Sequence, residues 1–279
     1  MKHILLLLTF VLTNISSFAQ IFVVEDPMLD TLFNARVKSL DEFIERFNGD
    51  KISSDIAQDD PLKREKNILS LFERDSLAGH QAQYGNNNDL FLSITDFIKY
   101  VAKNNIKLDL QKDSMLFAVA SLKMKYAAKD KNIKMALRYE HIGNDIYGWK
   151  IAGVSGLVEN GIIDTSSVRI FRPVDNEMNF STIVPTINAQ NNNITQYRSF
   201  GFDIDPTSYF LALCATNKIS GVKCESVVYH VLSIDGYAFE ISKFDRLDKN
   251  NGWLISKFKT MDKPEKIKYI NKLLGKNEK

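Results

Sequence analysis

The fold is decided by residues 129–155, KDKNIKMALRYEHIGNDIYGWKIAGVS, which recur in altered form as residues 233–259, SIDGYAFEISKFDRLDKNNGWLISKFK. The two stretches align without a gap at an offset of 104 positions, so that Trp149 matches Trp253. Both copies end in the phrase Gly-Trp-x-Ile, which contains both tryptophans of the chain. Because similarity at a fixed offset is the signature of duplicated structural units, the sequence predicts two similar units in tandem.

Each copy alternates apolar and polar residues. Ile133, Met135 and Leu137 fall on one side of an extended chain, whereas Lys134 and Arg138 fall on the other. This period of two indicates antiparallel strands with one buried and one wet face. The same pattern predicts three strands in each unit, at residues 114–127, 133–141 and 147–154 and at residues 222–233, 237–246 and 253–259.

Helical spacing of apolar residues marks the segments before each set of strands. The clearest helix is predicted at 34–49, where Ser39 and Glu42 form a capping box and Phe43 and Phe47 share the apolar face. Further helices are predicted at 61–72, at 92–104, from 175 until Pro185 ends or kinks it, at 205–217 and from 262 onward. The predicted fold class is therefore α+β, with helices packed on a curved antiparallel sheet in each unit.

The N-terminus has the pattern of a secretory signal peptide. Lys2 precedes an apolar core at residues 4–11, and the small residues Ser17 and Ala19 place cleavage after residue 19. This core is too short for a membrane-spanning helix, which needs ~20 residues. We expect a signal peptide at 1–19, a first unit at 20–158 and a second unit with a C-terminal helix at 159–279. An uncleaved N-terminal anchor is the alternative, but we expect export to the periplasm or beyond the cell.

Charge and motifs exclude several function classes. The formal net charge is only +2, which gives no general reason to expect nucleic acid or an anionic membrane as partner. The four histidines and two cysteines show no metal-binding spacing, and no glycine-rich nucleotide-binding motif occurs. We therefore expect no metal, no cofactor and no transmembrane segment. Cys214 and Cys224 either form a disulfide in an oxidising compartment or remain two buried thiols.

Three phrases of the chain carry a resemblance to a known group of proteins. They are residues 40–49 (LDEFIERFNG), 176–180 (NEMNF) and 251–256 (NGWLIS). With its helices followed by a meander, the chain resembles uncharacterised secreted bacterial proteins that carry tandem cystatin-like domains. Their superfamily includes nuclear transport factor two, ketosteroid isomerase and scytalone dehydratase. The resemblance implies two cone-shaped units, each with a cavity that enzymes of the superfamily use for an Asp paired with Tyr or His.

Candidate residues for such chemistry are Asp96, Tyr126, Tyr139 and His230, and His80, Tyr84 and His141 are further candidates. None lies in a recognisable motif, and ordinary surface or hydrogen-bonding roles explain each of them. His230 is in phase with Cys224 on one predicted strand, but six residues of strand separate them by ~20 Å. A Cys–His dyad is therefore excluded, and a core or cavity-lining histidine is expected.

The aromatic residues are predicted to serve packing. Phe43, Phe47, Phe97, Trp149 and Trp253 are the expected core or cavity-lining positions. The two tryptophans could instead be platforms for a sugar or lipid, but their identical place in both copies favours a shared structural role.

Two functions from different classes follow. The first is an exported, non-catalytic binding or interaction protein for a small apolar ligand or a protein partner, which predicts a mostly apolar cavity. The second is a small-molecule isomerase, dehydratase or hydrolase, which predicts that an acid converges with a Tyr or His and that a pKa is shifted. A homodimer formed through the sheet faces is a third hypothesis.

Overall fold

The computed structural model describes residues 35–75, 88–144, 146–163, 173–174, 177–178, 183–188, 197, 202–247 and 250–276. The sequence also predicts a short strand at 168–171, which lies outside these residues. The predicted signal peptide at 1–19 and the candidates His80 and Tyr84 lie outside them as well. The strands are β1 (Arg36–Val37), β2 (Leu116–Tyr126), β3 (Lys129–Gly143), β4 (Ile146–Ser155), β5 (Pro173–Val174), β6 (Glu177–Met178), β7 (Ile219–Val231), β8 (Tyr237–Phe244) and β9 (Asn251–Thr260). The helices are α1 (Leu40–Asn48), α2 (Lys63–Ser70), α3 (Asn88–Lys103), α4 (Ile183–Asn188), α5 (Pro206–Ala215) and α6 (Lys263–Leu273).

Strands from both copies of the repeat lie in one seven-stranded sheet. Its order is β1-β9-β8-β7-β2-β3-β4, so that the two meanders meet where β7 pairs antiparallel with β2. The α+β fold class is thus confirmed. The paired strands make one continuous sheet out of both copies. Two separate cystatin-like cones remain a prediction.

The last two strands of each copy form the same hairpin. Tyr139 pairs with Trp149 in the first copy, and Lys243 pairs with Trp253 at the equivalent place in the second. An irregularity in register falls between residues 136 and 137 and again between residues 240 and 241, which are equivalent positions. The prediction that both tryptophans occupy the same place in the same final strand is confirmed.

The first hairpins of the two copies, β2–β3 and β7–β8, differ from each other in the length of their connection. β2 and β3 are joined by Ala127 and Ala128, both at positive φ (49° and 62°), as a tight two-residue turn requires. β7 and β8 instead begin to pair at Val231 and Phe239, so a longer connection separates them. The repeat is therefore faithful in its second hairpin and altered in its first.

Helices α1 and α3 pack on one face of the sheet through phenylalanines. Ser39 caps α1 as predicted, and Gly49 ends it at φ +78°. Phe43, Phe47 and Phe97 are fully buried. The ring of Phe97 lies 5.8 Å from that of Phe239 in β8, and the ring of Phe47 lies 5.9 Å from it. In the structure these three rings are part of the core.

The tryptophans lie in a half-buried row of rings that joins the two copies. The ring of Tyr229 in β7 is 5.0 Å from Trp253 and 5.9 Å from Trp149, and Trp149 is 5.3 Å from Tyr139. Both tryptophans therefore pack against the same tyrosine of the central strand.

Helix α6 covers the opposite face. Phe117, Leu232, Ala238 and Met261 form a buried cluster there, against which Ile270 and other apolar residues of α6 and its C-terminal end pack. The predicted C-terminal helix is thereby confirmed. Of the helices in the described ranges, none combines the length and apolar character needed to cross a bilayer.

One predicted helix begins in the wrong place. The sequence predicts Met178 in a helix that begins at residue 175, but Met178 pairs with Pro173 in the small hairpin of β5 and β6. The helix begins only at Ile183, and Pro185 lies in its first turn. A proline is tolerated there because the first N–H groups of a helix have no partner within the helix.

Candidate functional site

A cavity of about 350 Å³ lies between α6 and strands β7 to β9. Its apolar lining includes Leu232, Ala238 and Met261, and its polar lining includes His230, Glu240, Lys257, Lys259 and Tyr269. A mostly apolar cavity with few polar groups is the usual form of a small-molecule site.

The polar groups are brought together by strand register. His230 of β7 pairs with Glu240 of β8, which in turn pairs with Lys257 of β9. Side chains in one row across neighbouring strands project from the same face, so these three meet although the chain separates them. Tyr269 is supplied by α6, which crosses above them.

The cluster is closed by short hydrogen bonds. Nδ1 of His230 lies 2.8 Å from the hydroxyl oxygen of Tyr269, which donates to Oε1 of Glu240 over 3.1 Å. Nζ of Lys257 lies 2.9 Å from Oε2 of the same carboxylate. Both oxygens of Glu240 are thus engaged, one by a neutral donor and one by a cation.

Burial controls the ionisation of the ring groups. It lowers the pKa of His230 to about 4, although the charge of Glu240 acts in the opposite direction. Lys257 and Lys134 add to the lowering. Burial, together with the Glu240 carboxylate, raises the pKa of Tyr269. At neutral pH the imidazole and the phenol are therefore both uncharged.

Helix α6 is held in register by its first turn. Asp262 and Glu265 form a reciprocal capping box, and Pro264 lies in the first turn. Lys266 is almost fully buried and donates from Nζ to the backbone carbonyl of Ile234. These contacts fix the helix along its axis, so Tyr269 is placed over Glu240.

The first copy of the repeat has no such cluster. Ala136 and Gly153 pair in the same register as Glu240 and Lys257, and they stand at the equivalent positions. A Cβ atom on Gly153 would lie 2.4 Å from the Cα atom of Leu274, so the end of α6 sits directly on this strand. The position that lines a cavity in one copy therefore supports a helix end in the other.

The predicted site residues do not converge. Asp96 is exposed on α3, and Tyr126 at the end of β2 interacts with Tyr209. Tyr139 stacks among the rings of β3 and β4, and His141 is exposed near the end of β3. Among these candidates only His230 lines the cavity.

Sequence reasoning missed Glu240, Lys257 and Tyr269. The alignment of the two copies contained a signal, because an acid and a base replace Ala136 and Gly153 at positions that pair across the hairpin. Tyr269 had no such signal, since its place depends on where α6 packs.

The predicted cysteine pair is present as two free, exposed thiols in the structure. Cys214 lies in the last turn of α5, and Cys224 lies within β7. A disulfide between them stays a prediction.

Two further cavities lie elsewhere in the described part of the chain. The larger, about 710 Å³, lies between the start of α5 and α6, but its Asp205 side chain is used to cap α5. The other, about 330 Å³, lies beside β1 and β9 and is lined by exposed charged side chains such as Lys38, Lys243 and Asp245. Of the three, the cavity under α6 holds the titratable cluster built around the buried His230, and we take it as the candidate site.

The comparisons with known proteins identify no relative: no protein-family model, no curated protein and no solved structure matches the chain. Within the described ranges, no group of three or more His, Cys, Asp or Glu side chains is placed to hold a metal ion.

Proposed function

We propose that the protein is an exported, non-catalytic binding protein whose small-molecule site is the cavity under α6. The observation that carries this proposal is a cavity of about 350 Å³ with an apolar floor and one compact polar cluster. Cavities of ~300–1,000 Å³ with this composition are the ones that enclose small ligands in proteins.

The ionisation of the cluster favours binding over catalysis. A general base works best when its pKa lies near the working pH, and His230, with a pKa of about 4, is far from neutrality. Glu240 is held by both Tyr269 and Lys257, so its carboxylate is occupied within the protein. Because these side chains already hold one another in place, a ligand can enter the cavity at little cost in rearrangement.

The second candidate is a small-molecule isomerase, dehydratase or hydrolase. The convergence of Glu240, Tyr269 and His230 in one cavity favours it, with a glutamate in place of the expected aspartate. Turnover of a small carbonyl or hydroxyl compound that is lost in His230→Gln would establish this alternative and overturn the first.

Binding can be tested by filling the cavity. Ala238 is 6% exposed on the cavity wall, so Ala238→Phe should occupy the ligand volume. We expect the folded protein to bind the fluorescent probe 1-anilinonaphthalene-8-sulfonate in a saturable manner and the variant to lose this binding. Ala212→Phe on the exposed side of α5 is the matched control and should bind as the native chain does.

A second pair of variants keeps the test informative if Ala238→Phe fails to fold. Lys257→Glu reverses a charge at the rim of the cavity, and Lys243→Glu reverses another exposed, ion-paired lysine in the same hairpin. Only the first should weaken binding of the anionic probe. Equal affinity in both variants and in the native chain would place the probe elsewhere and contradict the proposal.

A further inference from the structure

The hydrogen bonds around Tyr269 fix which ring nitrogen of His230 carries the proton. A phenol has one hydrogen to donate and otherwise only accepts. Oε1 of Glu240 lies 3.1 Å from the hydroxyl oxygen, and the carboxylate is paired with Lys257, so it is an ionised acceptor. The phenol hydrogen must go to Glu240, since two lone pairs would otherwise face each other.

His230 must therefore be the donor in the remaining contact. Its Nδ1 atom, 2.8 Å from the same hydroxyl oxygen, carries the hydrogen. In a neutral imidazole the other nitrogen is then a lone-pair acceptor. The chain of donors runs from His230 through Tyr269 to Glu240, and Nε2 is left as a hydrogen-bond acceptor.

The acceptor atom Nε2 is turned to accessible space. No residue in the described part of the chain hydrogen-bonds to it. It is also not among the fully buried side-chain atoms without a partner, which are Nη1 of Arg46, Nε of Arg64 and Oγ of Ser233. Because the ring is 10% exposed and lines the cavity, the space that Nε2 reaches is the cavity.

Each charged side chain in the lining of the cavity has a partner of opposite charge. Glu240 of β8 is paired with Lys257 of β9. Nζ of Lys259 lies 3.8 Å from Oε1 of Glu265 in α6. Lys134 of β3 acts on the ring only through its charge. Lys134 is not part of the cavity lining, so the lining itself holds no unpaired charge that would select an ionic ligand.

We infer that the cavity selects an uncharged, largely apolar molecule with one hydrogen-bond donor, such as an alcohol, a phenol or an N–H heterocycle, which donates to Nε2 of His230. This inference rests on the proposed binding function and names its ligand class. The apolar body lies against Leu232, Ala238 and Met261, and the donor meets Nε2 of His230, to which no described residue hydrogen-bonds.

Matched probes that differ only in the donor test this inference. We would measure calorimetrically, at neutral pH, the affinity of 2-naphthol and of 2-methoxynaphthalene, whose ether oxygen cannot donate. The naphthol should bind about tenfold more tightly or better, because the ether leaves a buried acceptor without its partner. In His230→Leu the two probes should bind alike, whereas the exposed-site control His141→Leu should keep the difference.

The outcomes separate the two proposals. Equal binding of both probes to the native chain overturns the ligand class and leaves the binding cavity standing. Absence of binding by either probe overturns both. Nitrogen NMR of the native protein gives a test that no variant can confound: it should show His230 protonated at Nδ1, and a proton on Nε2 would overturn the inference.

Discussion

At the scale of single residues, the burial of His230 in the cavity wall makes the free energy of unfolding depend on pH. The folded chain holds its imidazole neutral down to a pKa of about 4, whereas the ordinary value is 6.5. Between these values the unfolded chain binds a proton that the folded chain does not. By linkage, the free energy of unfolding must then decrease as the pH falls through this window.

His230 therefore makes a measurable, pH-dependent contribution to the free energy of unfolding. Lowering the pH from 6.5 to 4 should cost the native chain up to about 3 kcal/mol through this group, since each pKa unit corresponds to ~1.4 kcal/mol. His230→Gln should lose this part of the slope in urea unfolding across the window. His141→Gln, at an exposed histidine, should keep it, and identical slopes in all three proteins would refute the assignment.

The sequence could predict His230 but not its partners. Alternation along β7 was enough to place its ring on a defined face and to expect a cavity or core role. Glu240 reaches it through strand pairing, and Tyr269 reaches it through helix docking. Both relations join residues distant in the chain, which local patterns do not encode.

At the scale of elements, two equivalent glycines differ in how closely other parts of the chain approach them. A Cβ atom on Gly252 would lie 1.8 Å from the carbonyl oxygen of Val37, because β1 pairs directly alongside β9. Gly252 also has φ +87°. Its counterpart Gly148 has no such strand beside it within the described residues, and a Cβ atom there would meet only the tip of Ile142 at 3.0 Å.

Alanine at these two positions should therefore have unequal effects. Gly252→Ala should destabilise the protein by roughly 3 kcal/mol or more, because it combines backbone strain with loss of the β1 pairing. Gly148→Ala should cost less than about 1 kcal/mol, since a flexible, exposed side chain can move aside. Chemical denaturation measures both, and equal losses would show that β1 does not hold this edge.

Local chemistry explains which elements were predictable. Helix starts at Ser39, Asp205 and Asp262 were visible because each cap is a contact within four residues. The helix expected around Met178 was wrong because a hairpin of two-residue strands has almost no sequence period. Its pairing outweighed the apolar spacing that suggested a helix.

At the scale of the whole molecule, pairing of β2 with β7 joins the two copies along the length of both strands. Tyr229 in β7 also contacts both tryptophans. Local patterns identified two repeated units but could not show that they share a sheet, since strand edges pair without a sequence signature.

A shared sheet predicts one cooperative transition. Trp149→Phe leaves Trp253 as the only tryptophan, and Trp253→Phe leaves Trp149. In each variant, the urea midpoint by tryptophan fluorescence should coincide with that by circular dichroism. A fluorescence transition separated from the circular-dichroism transition would show instead that the copies unfold as independent domains.

The pairing of Ala136 with Gly153 beneath the end of α6 sets the stoichiometry. A duplicated hairpin would otherwise offer two equivalent pockets, but one of them is closed by the backbone of Leu274. In this way the first copy of the repeat supports the end of α6, and the same helix covers the cavity formed by the second copy. Each polypeptide should accordingly take up a single ligand molecule, and saturation should be hyperbolic, with no communication between sites.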